Sequence, residues 1–287
     1  MKRFFKALTA TVLAVTMIFS LTACGQKLAL GKEMIKCESQ LDAVVKLDQG
    51  TLDAVVIDSI MAGYYAKTGD YAGKIAIVED LVLAQEEYGI AGRKGDKAFV
   101  SKINDALIAL NSNGKLGEVA DKFGVKGSLA VKADTTNPLA SADDDSWTKI
   151  VNSKKIVIGY TVFAPIAYEE AGALTGFDIE LAKEVVKYLN EQNSTDIKVE
   201  FLVINWDSKE ALLEEGSIDL VWNGMTITEE RKESMCISVP YLYNKQVAVV
   251  ATADKDKYSD KDSFKNAVIG VEKGSAGQSC VEGPSEE

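Results

Sequence analysis

Two observations predict an α/β protein. Strand-like and helix-like segments alternate along the chain after residue 30, and one helix–glycine–strand frame occurs twice. "SQLDAVVKLDQG" places Leu41, Val44, Val45 and Asp48 at helical spacing and stops at Gly50; "TLDAVVID" follows as a buried strand. Further on, "DSKEALLEEG" reads as a helix that stops at Gly216, with "SIDLVWNG" as the next strand. Gly50-Thr51-Leu52-Asp53-Ala54-Val55 matches Gly216-Ser217-Ile218-Asp219-Leu220-Val221 in frame. A second pair of strands, "KIVIGY" from Lys155 and "NAVIGV" from Asn266, each ends in glycine plus one residue where a loop begins. The order of these pieces is informative. In the centre of the chain "VIGY" precedes "GSIDLVW"; in the other copy "GTLDAVV" stands near the front and "VIGV" near the back. Two pseudo-repeated lobes are expected, the second cut open.

The 287 residues suffice for two modest domains, and 47% hydrophobic with 26% charged residues is an ordinary globular composition. A formal charge of −11 opposes binding to nucleic acid phosphates. The absence of histidine excludes Ser/His/Asp and Cys/His catalysis and most zinc sites, while enzymes using only carboxylates or lysines stay open; no catalytic residue, metal or cofactor is singled out. "MKRFFK", then an uncharged apolar run from Ala7 to Ala23, then "LTAC", reads as an export signal over residues 1–23 that is short for a spanning helix. Three further cysteines, Cys37, Cys236 and Cys280, leave at least one thiol unpaired, and spacing does not choose a pair.

"KADTTNPLASADDDSWTKI", Lys132 to Ile150, is polar, acidic and rich in small residues, as the mature front end of a tethered secreted protein often is, yet it lies mid-chain. Two sets of blocks around it resemble the polar amino-acid-binding proteins of ABC importers, the bacterial family 3 solute-binding lipoproteins. The first set is "IVIGYTVFAPIAYEEAGALTGFDIELAKEVVKYL", "VINWDSKEALLEEGSIDLVWNGMTITEERKESMCISVPYL" and "AVIGVEKGSAGQS". The second is "LDQGTLDAVVIDSIMAGYY" and "YGIAGRKGDKAFVSKINDALIALNSNGKLGEVADKFGV". In that family the second set follows the first; here it precedes it. The resemblance therefore implies a two-lobed periplasmic-binding-protein type II fold, circularly permuted within its second lobe. It assigns 31–86 to the later half of lobe 2, 87–129 to the last helices of lobe 1 and 130–146 to a linker. It assigns 147–244 to the main part of lobe 1 and 245–287 to the earlier half of lobe 2. The lobes are crossed near Glu86–Gly89 and Tyr243–Gln246. "LTAC" resembles the bacterial lipobox, which makes Cys24 the lipidated (palmitate-bearing) anchor to the cell membrane; a plain signal peptide or membrane anchor is the alternative.

A buried zwitterion needs both charges met, with a guanidinium for the carboxylate and oxygen acceptors for the ammonium. Arg231 stands on the first turn of a helix capped near Thr228. Spacing alone also fits a solvent-facing arginine beside Glu229 and Glu230; the "T-I-T-x-x-R" motif of the resembling family implies a carboxylate grip. The family also implies backbone and hydroxyl contacts from Asn223, Gly224 and Thr226. Ser275 and Ala276, at a helix start in "EKGSAGQS", read as an anion seat. Asp58, at the C-terminal end of its strand, reads as the ammonium partner, as a helix cap, or as both. Phe163 and Trp206 read as aromatic walls, with core packing as the alternative and a loop position that makes it less natural for Trp206. Tyr160 stands where close relatives for cationic amino acids carry an acid, which points away from a strongly cationic ligand.

The implied function is capture of a free amino acid by a monomeric, extracytoplasmic lipoprotein. It would deliver its ligand to the permease and ATPase subunits of an importer, without nucleic acid partners. An enzyme of the dehydratase kind resembles the same fold but needs a further cleft carboxylate beyond Asp58; a sensor module needs a fused transmembrane part.

Overall fold

The computed structural model describes residues 28–284, so the leader and Cys24 lie outside the described residues. The chain order opens with β1 (Glu33–Cys37), α1 (Gln40–Asp48), β2 (Ala54–Asp58), α2 (Ser59–Tyr65), β3 (Ile75–Arg93), α3 (Lys97–Ser112) and α4 (Lys115–Lys122). It continues with α5 (Ser146–Ser153), β4 (Lys155–Tyr160), β5 (Tyr168–Glu170), β6 (Ala173–Thr175), α6 (Phe177–Asn193), β7 (Lys198–Val203), α7 (Lys209–Glu214) and β8 (Leu220–Thr226). α8 (Glu229–Ser234), β9 (Met235–Ile237), β10 (Leu242–Ala251), β11 (Val268–Glu272) and α9 (Ala276–Glu282) complete it. The α/β class expected from the alternation is what the fold shows.

One mixed sheet runs β1-β11-β2-β10-β3-β8-β4-β7, with β9 beside β3; β5 and β6 form a separate hairpin. Its centre is the pair of long antiparallel strands β3 and β10, and the two segments expected to cross between lobes lie opposite each other there. Tyr88 pairs with Leu242, Glu87 with Tyr243 and Glu86 with Asn244. On either side stands a three-stranded parallel unit, called here the β4 half and the β11 half.

The repeat read from the sequence recurs as geometry. In the β4 half, β4 pairs in parallel with β8 through Ile158–Leu220 and Gly159–Val221. In the β11 half, β11 pairs in parallel with β2 through Ile269–Ala54 and Gly270–Val55. These are the positions that the two sequence frames align. The same clasp closes each pair: Val157 N–H donates to the Asp219 carboxylate at 2.9 Å, and Val268 N–H donates to that of Asp53 at 2.8 Å. The glycines let apolar side chains lie on the strand, since a Cβ at Gly159 would stand 2.7 Å from Ile218 Cδ1 and one at Gly270 2.4 Å from Leu52 Cδ1.

The halves differ in connectivity. The β4 half has the spatial order β7-β4-β8, which is second, first, third along the chain. The β11 half has β1-β11-β2, the same pattern only when β11 is counted before β1. The segment before β1 is stitched to the end of α9: Ala29 N–H donates to Val281 O at 2.9 Å, and Lys36 pairs with Glu282 at 3.3 Å.

The main core runs unbroken through both halves, from Val44, Ile57 and Met61 through Tyr88 and Leu107 to Ile158, Phe177 and Trp222. A second cluster under the β11 half joins Leu30 to Val281, Phe264 and Ile269. α3 packs against α5 and α6 on the β4 half, and Asn137 ties residues 130–146 to α3 by donating to Ser101 O at 3.0 Å and to Asp105 at 2.8 Å. The three cysteines among the described residues are all free thiols, Cys37 and Cys236 buried. Among the described residues no helix is long and apolar enough to cross a membrane.

Candidate functional site

Parallel strands of an α/β sheet present their C-terminal ends to one crevice, where ligands commonly bind. Here β4, β8, β2 and β11 all end at a single cavity of about 360 Å³, its open mouth included. All nine residues singled out from the sequence line it: Arg231, Asp58, Phe163, Trp206, Asn223, Gly224, Thr226, Ser275 and Ala276.

Arg231 is held by its helix. The Thr228 hydroxyl accepts from Arg231 N–H at 3.1 Å and so caps α8, whose first turn then directs the guanidinium inward. The side chain is 8% exposed. It donates from Nη1 to Thr226 O at 2.7 Å, and from Nη2 across the cleft to Gly274 O at 3.1 Å. It pairs with no carboxylate among the described residues. The alternative of a solvent-facing helix arginine is thus not what the structure places there. A second cation, missed in the sequence, stands beside it. Lys209 is buried, donates to Trp206 O and Gly274 O at 3.3 and 3.4 Å, and lies 5.0 Å from the centre of the Trp206 ring. Burial first, then the charge of Arg231, pushes its ammonium down to about 8. Its spacing from Trp206 on one helical turn was the available signal.

Asp58 is 4% exposed and sits at the first position before α2, yet its carboxylate makes no cap bond to that helix. The helix-cap role is therefore not taken. Its oxygens instead accept from Tyr88 OH at 2.6 Å, from Gln246 Nε2 at 3.0 Å, and from the side-chain amides of Gln40 and Asn244. Gln246 Nε2 also donates to Glu86 at 2.9 Å, and Thr226 Oγ1 to the other Glu86 oxygen at 3.0 Å. Burial, and then the neighbouring charge of Glu86, hold the Asp58 carboxyl well above the usual carboxylate range. Glu86, Gln246 and Asn244 lie on the crossing strands, and polar residues within such apolar runs were the signal for this network.

Gly224 has φ +60, and a Cβ there would stand 2.7 Å from Phe163 Cε1 and 3.0 Å from Tyr88 Cε2. Only glycine fits that close approach to two rings. Its N–H donates to Asp178 at 2.8 Å, and Tyr241 OH donates to the same oxygen at 2.7 Å. Burial raises the Asp178 carboxyl to about 7. Asn223 Nδ2 donates to Thr161 Oγ1 at 2.9 Å. The Ser275 hydroxyl accepts from Gln278 N–H at 3.2 Å and caps α9. Phe163 and Trp206 are 3% and 5% exposed, so each is also packed. Trp206 opens a single 3-10 turn, Trp206–Ser208, and lies with Ile204, Leu213 and Ile218. The loop position thus did not exclude a core role for it. Met61, Val162, Thr161, Gln40, Gln246 and Glu272 complete the lining.

Contacts between the halves close the cleft at its rim. Lys273 pairs with Asp207 at 2.8 Å, and Asn205 Nδ2 donates to Glu38 at 3.1 Å.

Residues 156–276 match the family described as bacterial extracellular solute-binding proteins, family 3. A probable histidine-binding protein of Neisseria gonorrhoeae is 32% identical over 160 residues, 55% of this chain and 57% of that protein. The arginine-binding extracellular protein ArtP of Bacillus subtilis is 30% identical over 148 residues, 51% of this chain and 55% of that protein. A histidine-bound ABC uptake transporter substrate binding protein from Streptococcus pneumoniae is 39% identical over 31% of this chain and 35% of that one, with a TM-score of 0.27. The chain spans about half the length of the curated relatives it matches.

Proposed function

We propose that the cleft captures a free amino acid between the two halves and hands it to the permease of an ABC importer outside the cytoplasm. The observation that carries this reading is Arg231, a buried guanidinium that faces the cavity and pairs with no carboxylate among the described residues. Such a group calls for an anion, and its planar fork matches a carboxylate. On this reading Asp58, which lines the cavity from the opposite half, is the partner of the ammonium. A ligand touching both halves favours the closed arrangement over an open one, which is how a hinged trap works. The matched family and the relatives named as binding proteins support a binding role rather than an enzymatic one.

The proposal extends to the chain order. The β1-β11-β2 arrangement, the repeated Asp53 and Asp219 clasps, and the bonds joining Ala29 to Val281 support a circular permutation within the second lobe. On this reading the lobes are 31–86 with 245–287, and 87–129 with 147–244, joined through 130–146. The anchor at Cys24, a monomeric state and a ligand that is not strongly cationic are parts of the same proposal.

Thermal unfolding of the purified protein against each of the twenty amino acids at millimolar concentration tests it. A ligand binding only the native state raises stability by about 2.7 kcal/mol at a hundred times its Kd. A shift with one or a few amino acids, abolished in Arg231→Ala, is the expected result. A cooperative transition unmoved by all twenty contradicts it.

A further inference from the structure

Three buried side-chain oxygens on the wall of this one cavity have no hydrogen-bond partner among the described residues: Glu272 Oε1, Gln246 Oε1 and Asn223 Oδ1. All three are acceptors. A buried acceptor left without a donor is destabilising, and protein interiors rarely tolerate it unless something else supplies the donor.

Glu272 is the most consequential of the three. It is 4% exposed and ends β11 at the cavity. The repeat aligns it with Thr161, one residue beyond β4 and two beyond the paired glycine. Thr161 Oγ1 is engaged within its own half by Asn223. Glu272 Oε1 is engaged by nothing described, although a longer side chain with two oxygens stands there. The Asp58 oxygens receive four protein donors, whereas this Glu272 oxygen receives none. The groups that face Glu272 are Lys209 and Arg231 from the β4 half and Gln40 from α1; the two cations form no ion pair with it. Burial, only partly offset by Lys209, Gln40 and Arg231, raises its carboxyl to about 8, so at neutral pH one oxygen carries a proton and the other remains a carbonyl acceptor.

We propose that Glu272 is a specificity residue that receives a hydrogen-bond donor on the side chain of the bound amino acid, so that the cleft selects donor-bearing ligands over apolar ones of the same length. The inference rests on the amino-acid reading of the site. A site built around a buried acceptor rejects a ligand lacking the donor, because the acceptor then stays unpaired in the complex.

Titration calorimetry on the full protein tests this with three ligand pairs: glutamine against methionine, asparagine against leucine, and lysine against norleucine. The donor-bearing member of at least one pair is expected to bind over about tenfold tighter. In Glu272→Leu that ratio falls by roughly ten- to hundredfold, and in Glu272→Gln, which keeps a carbonyl acceptor and the side-chain shape, it falls less. The proposal is overturned if the wild type prefers the apolar members. It is also overturned if Glu272→Leu weakens both members of a pair equally, as loss of an ammonium contact or of local structure would do, or if it leaves the ratio unchanged. Amino acids that bind without any donor preference sink this inference alone; a wild type that binds none of the twenty sinks the site reading with it.

Discussion

The β4 and β11 halves share a backbone plan and differ in the charge they bring to the cleft. Each has a first strand clasped by an aspartate of the third, Val157 to Asp219 and Val268 to Asp53, with a glycine beside an apolar side chain at the same register. The positions just past that shared frame diverge. Gly224 occupies the place that Asp58 has in the other copy, and Thr161 the place of Glu272. The β4 half supplies Arg231, Lys209 and the rings of Phe163 and Trp206; the β11 half supplies Asp58 and Glu272. Hydrogen bonding inside a strand pair is set by the fold, whereas the residue at a strand's C-terminal end is open to change. Two copies of one scaffold facing each other thus place the Arg231 guanidinium on one wall of the cavity and the Asp58 and Glu272 carboxyls on the other.

The largest expected effect that separates the halves is on pH. Asp178 in the β4 half and Glu272 in the β11 half have folded pKa values of about 7 and about 8, above those of an unfolded carboxyl. Folding therefore retains protons that the unfolded chain has released, and this contribution is full below about pH 4. It is lost as pH rises through 7 and 8, a change of about several kcal/mol. Lys209, depressed to about 8, acts in the opposite sense: its contribution is present above the unfolded lysine value and lost as pH falls through 8. Chemical denaturation across pH 4 to 8 should show declining stability, with Asp178→Asn making the decline shallower up to about pH 7 and Glu272→Gln making it shallower up to about pH 8. A flat profile in the wild type contradicts the burial of these carboxyls.

Next in size is Gly224→Ala, which combines a left-handed backbone with overlap on Phe163 and Tyr88. Overpacking and the backbone penalty together should cost about 3 kcal/mol. A loss within a few tenths would mean that the rings do not approach the strand as described. The smallest effect compares the clasps. Asp219→Ala also releases Arg93, which pairs with that carboxylate at 3.1 Å, so it should cost about 2 kcal/mol, against about 1 kcal/mol for the more exposed Asp53→Ala. Equal losses would show that the Arg93 contact adds nothing.

The repeat and the element types were legible because each has a local signature, whereas most of the nine cavity residues were singled out through the family resemblance. Gly50 and Gly216 both stop helices at positive φ, the threonine cap precedes Arg231 by three residues, and "VIG" marks both first strands. The buried network around Asp58 was not legible. Tyr88, Gln246 and Asn244 come to it from strands 30, 188 and 186 residues away, and no local pattern encodes such meetings. Glu272 was visible only as the acid preceding "KGSAGQ"; its meaning depends on what fails to contact it. Trp206 was judged by its loop position, while the structure buries it in one apolar cluster with Leu213 and Ile218.

The central claim is that one ligand is held by charges from opposing halves, Arg231 on one wall and the carboxyl side on the other. Titration calorimetry with the best-binding amino acid, its α-carboxamide and its N-acetyl derivative tests this directly. Removing one charged partner of a buried pair costs about 2–5 kcal/mol, so each blocked derivative should bind at least about thirtyfold more weakly than the parent. A blocked derivative that binds as tightly as the free amino acid would contradict the account.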